Sequence, residues 1–336
     1  KDTKDYRENI CDESGVTNGL GNNKGNTGKD DEEKKKNERI QVEMQINHQG
    51  EVNRARYMPQ GHNFIATKTT SGEVHIFDYF KHHGSPQNDE VKPDLRLLGH
   101  SREGYGLDWN PINAGVLLSG SDDNKICLWD VNKPDQLSPT IDPLTTFESH
   151  TQVVEDVCWN KHDGNQFASV SDDKKLKIWD VRNKNPTNSI EAHVAEILSV
   201  DYSPFDQYLM ITGSADRSVA VWDIRNVRCK LFSLRQHKDE VNQVKFSRMQ
   251  SNLLASSSTD RRIMVWDLSR FGAPQTEEEK KDGPPELLFV HGGHTSKVSD
   301  ISWNLNERLM MASCAEDNIL QVWQIAYEQY YGNELN

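Results

Sequence analysis

The 336 residues contain no apolar run approaching the length of a membrane span and no signal-peptide pattern, so no membrane partner is expected. Cysteine is scarce: Cys11, Cys127, Cys158, Cys229 and Cys314 form no C-x-x-C pair. They read as reduced thiols of a cytosolic or nuclear protein. Positive charge is in deficit, with 39 Lys and Arg against 52 Asp and Glu and a net charge of −13. That balance argues against direct nucleic-acid binding and suits basic partners. There is no Gly-rich phosphate loop and no metal-ligand spacing, and no nucleophile set occurs once only. The reading is therefore of a non-enzyme with no cofactor and no metal. Residues 1–38 are low in apolar side chains and rich in Asn, Gly, Lys and Asp, which predicts a disordered low-complexity segment. They hold 8 basic and 10 acidic side chains, so most of the net charge falls on the rest of the chain. The chain begins at Lys1 rather than at a methionine, as a fragment of a longer protein would.

What is present is a repeat. Six histidines are each followed 29 positions later by an aromatic residue: His48/Phe77, His100/Trp129, His150/Trp179, His193/Trp222, His237/Trp266 and His294/Trp323. Asp follows the aromatic residue at Asp78, Asp130, Asp180, Asp223 and Asp267, and Gln324 breaks the pattern. Successive histidines are 52, 50, 43, 44 and 57 residues apart, so a rigid unit alternates with variable joints. His…Trp-Asp units of this length predict the blades of an all-β WD-repeat propeller over residues 39–326. Nine residues after each His stands a bulky side chain: Tyr57, Trp109, Trp159, Tyr202, Phe246 or Trp303. A small-residue strand, a polar turn and the strand ending in Trp-Asp follow. Three inserts, Lys81–Asp94, Asn132–Pro143 and Phe271–Pro285, map to loops of the kind that bind partners.

Within a unit, a loop His should bond a strand hydroxyl, and a turn Asp should bond the His. The sets are His100–Ser121–Asp123–Trp129, His150–Ser171–Asp173–Trp179, His193–Ser214–Asp216–Trp222 and His237–Ser258–Asp260–Trp266. A Ser/His/Asp trio invites a hydrolase reading, but an enzyme needs one copy, not four. The trio reads as scaffolding, since buried polar groups require partners. The last unit has Ala315 where Ser is expected and the first has Ser71 where Asp is expected, so both should be looser. Ile40, Val42, Met44 and Ile46 alternate with polar residues and read as a strand. That strand could complete the last blade of a six-bladed ring; alternatively, part of a seventh blade is missing.

Further stretches carry a resemblance over about residues 39–330. They are 51–60 (EVNRARYMPQ), 103–111 (EGYGLDWNP), 153–159 (VVEDVCW), 212–216 (TGSAD) and, above all, 282–294 (DGPPELLFVHGGH). In these the chain resembles the retinoblastoma-binding, histone-binding WD-repeat family, which includes the small subunit of chromatin assembly factor and multicopy-suppressor-of-Ira proteins. The resemblance implies seven blades, with six repeats visible here and the first blade incomplete. It also implies a nuclear, monomeric scaffold of chromatin assembly, deacetylase or Polycomb-type complexes, with core histones three and four as partners.

Two binding sites follow from it. Glu51, Glu103, Glu155, Glu196 and Glu240 would ring the channel mouth and bind the tail of histone three or Arg/Lys-rich peptides of other subunits; the sixth repeat has Lys297 instead. Glu279, Asp282, Gly283, Pro284, Pro285, Glu286 and Leu287 would form half of a side groove for a helix of histone four. Residues 327–336 would supply a short C-terminal helix beside it. The family's N-terminal helix, which forms the other half, does not stand in this sequence. An alternative function rests on Trp179-Asp180-Val181-Arg182 and Trp222-Asp223-Ile224-Arg225. In some propellers this W-D-x-R pattern docks a cullin-type ubiquitin ligase, which would make Arg182 and Arg225 contacts of its adaptor.

Overall fold

A computed structural model describes residues 42–61, 63–82, 84–86, 88–132, 139–326 and Tyr330. The chain divides into Lys1–Glu43, of which only residues 42–43 are described, and Met44–Asn336, which carries every strand. The predicted disorder of residues 1–38 therefore falls outside the described residues.

The strands form six sheets, one for each His…aromatic repeat, antiparallel but for one added strand in the first. The third blade shows the pattern: Val154–Trp159 innermost, then Gln166–Ser171, Lys175–Asp180 and Asn188–Glu191 outermost. Why these segments are strands is plain from their faces. Phe167 and Trp179 lie opposite one another and are buried, as are Ala168 and Ile178 on the other face. A strand covered on both faces has apolar or small side chains at nearly every position. Inner strands share an irregularity. Register shifts between Val52 and Arg54, Val154 and Asp156, Ile197 and Ser199, Val241 and Gln243, and Val298 and Asp300. A bulge at a fixed place re-aims the side chain after it, so these five blades turn the same position of the inner strand, whereas Leu107–Trp109 of the second blade pairs without a shift.

The turns between second and third strands also repeat. Gly72, Asn124, Lys174, Arg217, Arg261 and Asn318, each 24 residues after its histidine, all have positive φ. Non-glycine residues pay for this left-handed backbone, and the preceding Asp compensates through hydrogen bonds. Gly72 is forced for a second reason: a Cβ there would lie 2.7 Å from the carbonyl oxygen of Arg102.

Six blades, rather than the seven implied by the resemblance, are what the described residues form. Nor is the first blade incomplete. It has Val52–Tyr57, Phe64–Thr69, Val74–Asp78 and Leu95–Leu97, and gains a fifth strand, Thr140–Ile141. That extra strand comes from the Asn132–Pro143 insert and pairs parallel to Leu95–Leu97, with Ile141 buried in the core between the first two blades. The short blade is the sixth, with Val298–Trp303, Met310–Ala315 and Leu320–Gln324 and no fourth strand among the described residues. Residues 42–48 are not a strand: the Gln45 amide donates to the Gly84 carbonyl, and Asn47 donates to the Glu90 carbonyl. These bonds hold the segment against the loop after the first blade's third strand. Of residues 327–336, only Tyr330 is described. It is helical, and its carbonyl accepts from Arg270 at 3.2 Å.

Candidate functional site

The repeat's histidines sit where expected but choose another hydroxyl. His150 Nε2 lies 2.7 Å from Ser169 Oγ, His193 Nε2 2.8 Å from Thr212 Oγ1, and His237 Nε2 2.8 Å from Ser256 Oγ. His294 reaches Ser313 at 2.8 Å and His48 reaches Thr67 at 3.0 Å. The partner is thus two residues before the predicted Ser171, Ser214 and Ser258. The tryptophan indole then donates to the same oxygen: Trp179 to Ser169, Trp222 to Thr212, Trp266 to Ser256 and Trp323 to Ser313. An indole N–H can only donate, so the hydroxyl's own proton goes to His Nε2. His Nδ1–H is left to donate to the turn carboxylate, at 2.9 Å for Asp173, 2.9 Å for Asp216 and 3.0 Å for Asp260.

This relay needs a neutral imidazole. Burial lowers the pKa of His100, His150 and His193 against the pull of their Asp partners. Burial alone would raise Asp123 and Asp173. Hydrogen bonds from His100 and His150 and from backbone amides outweigh it and hold both carboxyls at about 2. Ser169, Ser256 and Thr212 are fully buried, so they are structural and not nucleophiles. The predicted serines have a different task. Ser121 donates to the Arg102 and Glu103 carbonyls, Ser214 to that of Glu196 and Ser258 to that of Asp239. They tether the loops on which the candidate glutamates stand.

The second blade departs from the rule. Lys68, wholly buried, donates to Ser119 Oγ at 2.7 Å and to the Gly120 carbonyl. Ser119 also meets His100 at 3.1 Å, and the Trp129 indole turns to the Leu98 carbonyl instead. Burial pushes the Lys68 ammonium down to about 7. Space for it comes from Gly104, where a Cβ would lie 2.6 Å from Ser121 Cα and 3.2 Å from Lys68 Nζ.

The glutamates do not form an even ring. Glu51, Glu103, Glu196 and Glu240 each stand three residues after the repeat histidine, but that position in the third repeat is Val153. Main-chain bonds agree, since Asp122 N donates to Glu103 O and Asp172 N donates to Val153 O. Glu155 is two residues further, on the inner strand. The structure gathers Glu103, Glu155 and Glu196 with two aspartates that sequence reasoning missed, Asp122 and Asp172. Glu155 is raised to about 7, by burial first and then by Asp172, Asp122 and Asp156. Asp122 is raised by burial and by Glu103, and Asp172 by burial and by Glu196. The half-exposed Tyr105 is raised by burial and by Glu103, Asp122, Glu155 and Glu51. Glu240 is not in this group, and Lys297 at the sixth repeat faces Glu316 at 3.5 Å. The signal for the missed aspartates was the doubled Asp-Asp turn, which occurs only in the second and third repeats.

Deeper carboxylates are already used. Asp108 accepts from the Trp159 amide and Lys161, Asp156 from the Val200 amide and Ser199, and Asp201 from the Phe246 amide. Each stitches its inner strand to that of the next blade. Asp300 instead takes Arg56 of the first blade at 3.1 Å, and the cationic groups Arg56, Arg54 and Lys245 hold it at about 2 against its burial. By contrast, Glu103, Glu155, Glu196, Asp122 and Asp172 make no ion pair among the described residues, although Arg54 is near enough to lower Glu155, and Lys68 and Arg102 to lower Asp122. The cluster thus collects negative charge that these cations offset only in part.

The side-groove residues serve the fold in large part. Glu279 closes a reciprocal cap with Thr276, bonding its amide at 2.7 Å. The Gly283 carbonyl accepts from Gln275, and the Pro284 carbonyl accepts from the Leu287 amide. Pro285 is half-buried. Glu286 is buried, its carbonyl holding the Asp267 amide, and Leu287 packs on the core between the fourth and fifth blades. Asp282 is exposed. Arg182 and Arg225 are exposed on the outer rim, each forked onto the Asp of its own motif, Asp180 and Asp223. Arg225 also stacks over Tyr208 at 4.3 Å.

Comparison with known families agrees with this architecture. Residues 142–266 match the family described as EIPR1 beta-propeller, and residues 92–130 and 285–324 match the WD domain, G-beta repeat. Neither description is specific to histone-binding proteins. The blades, the repeated relay and these partial matches together give the chain the WD-repeat β-propeller fold.

Proposed function

We propose that this propeller is a non-enzymatic scaffold that captures basic peptide segments at the acidic channel mouth, with the tail of histone three as the intended class of ligand and chromatin complexes in the nucleus as the setting. One observation supports the reading: Glu103, Glu155 and Glu196 lie with Asp122 and Asp172 in no ion pair among the described residues, while the carboxylates of Asp108, Asp156, Asp201 and Asp300 are engaged by neighbouring blades. An Arg or Lys arriving within 4 Å of such a carboxylate gains about 1–4 kcal/mol, more as water is excluded. Tyr105 offers a ring face to the same cation. The resemblance at residues 282–294 points to the histone-binding family, and the overall charge of −13 favours a basic partner. A helix of histone four at the side groove has weaker support, because Glu286 and Leu287 are spent on the blade.

The test is fluorescence anisotropy with a labelled peptide of the histone-three tail. Binding is expected to be micromolar or tighter and to weaken with salt. Joint replacement of Glu103, Glu155 and Glu196 by Gln should weaken it at least tenfold. Unchanged affinity refutes the assignment to the mouth. A second reading, docking onto a cullin-type ligase adaptor, is favoured by the exposure of both guanidinium groups, Arg182 and Arg225, on one rim. Loss of adaptor capture in Arg182→Ala with Arg225→Ala would support it, and capture unaffected by both would remove it.

A further inference from the structure

Lys68 is a wholly buried lysine that makes no ion pair among the described residues. Its strand, Phe64–Thr69, belongs to the first blade, and its side chain crosses to the second. An ammonium has three hydrogens to donate. Among the described residues Nζ meets two acceptors, Ser119 Oγ at 2.7 Å and the Gly120 carbonyl. A neutral amine has two hydrogens, one for each of them. The pocket therefore satisfies the amine fully and the ammonium only in part. Burial, which lowers this group to about 7, acts in the same direction. Gly104 completes the pocket, since a Cβ there would meet Nζ at 3.2 Å.

The same pocket touches the carboxylate cluster. Gly120 ends the strand Val116–Gly120, and Asp122 stands two residues further on. The Asp122 amide donates to the Glu103 carbonyl, and so does Ser121 Oγ between them. From the first blade, Asn53 reaches the Glu103 carboxylate at 2.9 Å. Burial and Glu103 raise Asp122, and Lys68, with Arg102, pulls it back. The other groups that face Lys68 have settled charges at neutral pH. Arg54 stands opposite it on Val52–Tyr57 and adds a second positive charge. Burial keeps the His100 imidazole neutral and pushes the Cys127 thiol up to about 11. Asp123, whose burial is outweighed by His100 and by backbone amides, is held at about 2. Asp122 is the neighbour whose surroundings a ligand would alter.

We propose that Lys68 is the built-in counter-ion of the carboxylate cluster, and that a basic peptide seated on the cluster drives the Lys68 ammonium to give its proton to the solvent. The inference rests on the reading of the cluster as a cation site and adds how that site is regulated. In the empty protein the buried charge offsets part of the repulsion among Asp122, Glu103 and their neighbours. A ligand guanidinium or ammonium takes over that task, and the two cations then repel one another. The N–H bond that breaks is the third, which has no acceptor. The two remaining hydrogens keep Ser119 and Gly120, so the blade has no bond to lose. Capture thus exchanges an internal charge for an external one. It is favoured as pH rises through about 7 and opposed as pH falls. With Glu155 replaced by Gln, the pH dependence of binding flattens to the share that Lys68 carries.

The experiment follows the Lys68 ε-carbon by NMR in the full chain labelled at lysine. Glu155→Gln is present throughout, because Glu155, raised to about 7, would shed a proton of its own. The resonance is identified by its loss in Lys68→Met or, should that variant not fold, in Lys68→Arg. The probe is the histone-three tail peptide, added until its anisotropy saturates. The midpoint of the free protein, near 7, should fall by about half a pH unit or more on binding. Calorimetry at pH 7 in buffers of different ionisation heat should show about a quarter of a proton or more leaving per peptide, and none once Lys68→Met is added. If the peptide binds and the Lys68 midpoint stays or rises, the proposal is overturned while the cluster remains a cation site. A free-protein midpoint at the ordinary lysine value overturns it as well. If the peptide does not bind, or binds equally well after joint replacement of Glu103, Glu155 and Glu196, the reading of the cluster fails and the proposal with it.

Discussion

Replacing Lys68 by Met asks whether an unshielded ammonium is held inside the ring. Lys68 is completely buried between the first and second blades, and burial lowers it from 10.5 to about 7. At about 1.4 kcal/mol per pH unit, that gap is worth about 5 kcal/mol between the charged and neutral forms. The sign follows from proton counting. Between pH 7 and 10.5 the unfolded chain binds the proton and the folded one does not, so wild-type stability rises with pH across that window. Methionine fills a similar volume and carries no charge, so Lys68→Met removes the slope. It also leaves the Gly120 carbonyl without its donor, a cost of about 1–3 kcal/mol, while Ser119 keeps His100. At pH 7 the variant should therefore be more stable than wild type by about 2–4 kcal/mol, whereas above pH 10 it should be less stable by about 1–3 kcal/mol. Urea denaturation of both proteins at pH 7, 8, 9 and 10 reads the difference, and groups common to both cancel. A difference that stays flat over this range would show that Lys68 keeps its ordinary affinity for a proton, and the argument would fail.

Three further outcomes are expected. Ser256→Ala should cost about 2–4 kcal/mol in urea denaturation, because it strands both the His237 imidazole and the Trp266 indole, and Ser258→Ala only about 1 kcal/mol; equal costs would contradict the assignment of the relay. The contribution of His100, His150 and His193 to stability should be level above the ordinary His value of about 6.5 and fall as pH drops below it, because the folded imidazoles resist the proton, with a second loss between about 4 and about 2 as Asp123 and Asp173 protonate. It is read as the difference in urea denaturation between wild type and His150→Gln, in which Lys68 and Glu155 cancel, and a difference that does not change from pH 8 to 5 would rule it out. Basic-peptide binding should tighten as pH rises through 7, because Glu155, raised to about 7 in the free protein, must release its proton to face a cation, and Glu155→Gln should flatten that dependence.

The repeat made the blades legible because a 29-residue step survives any change in the joints. It did not distinguish Ser169 from Ser171. Residues two apart on a strand share a face, so both hydroxyls point the same way, and only their depth decides which meets the imidazole. The alternation at residues 40–46 suggested a strand, yet pairing needs an available edge, and Gln45 and Asn47 are held by the first blade's loop instead. The short outer strand Leu95–Leu97 was hidden behind an insert, which made the first blade look incomplete, whereas the want of a fourth strand after Gln324 was legible in the sixth repeat. In the carboxylate cluster, spacing singled out Glu103 and Glu196. The displacement of Glu155 and the arrival of Asp122 and Asp172 depend on how turns and loops meet in space.

The strand Thr140–Ile141 has a consequence for synthesis. It belongs by sequence to the second blade's insert and by hydrogen bonding to the first blade's edge. A ribosome delivers the chain from its N-terminus, so the first sheet stands with an unsaturated rim until residue 141 has left the exit tunnel. By then the three inner strands of the second blade have already been made. The first two blades therefore mature together rather than in succession, and a nascent chain stopped before Thr140 would expose the rim that its completed form conceals.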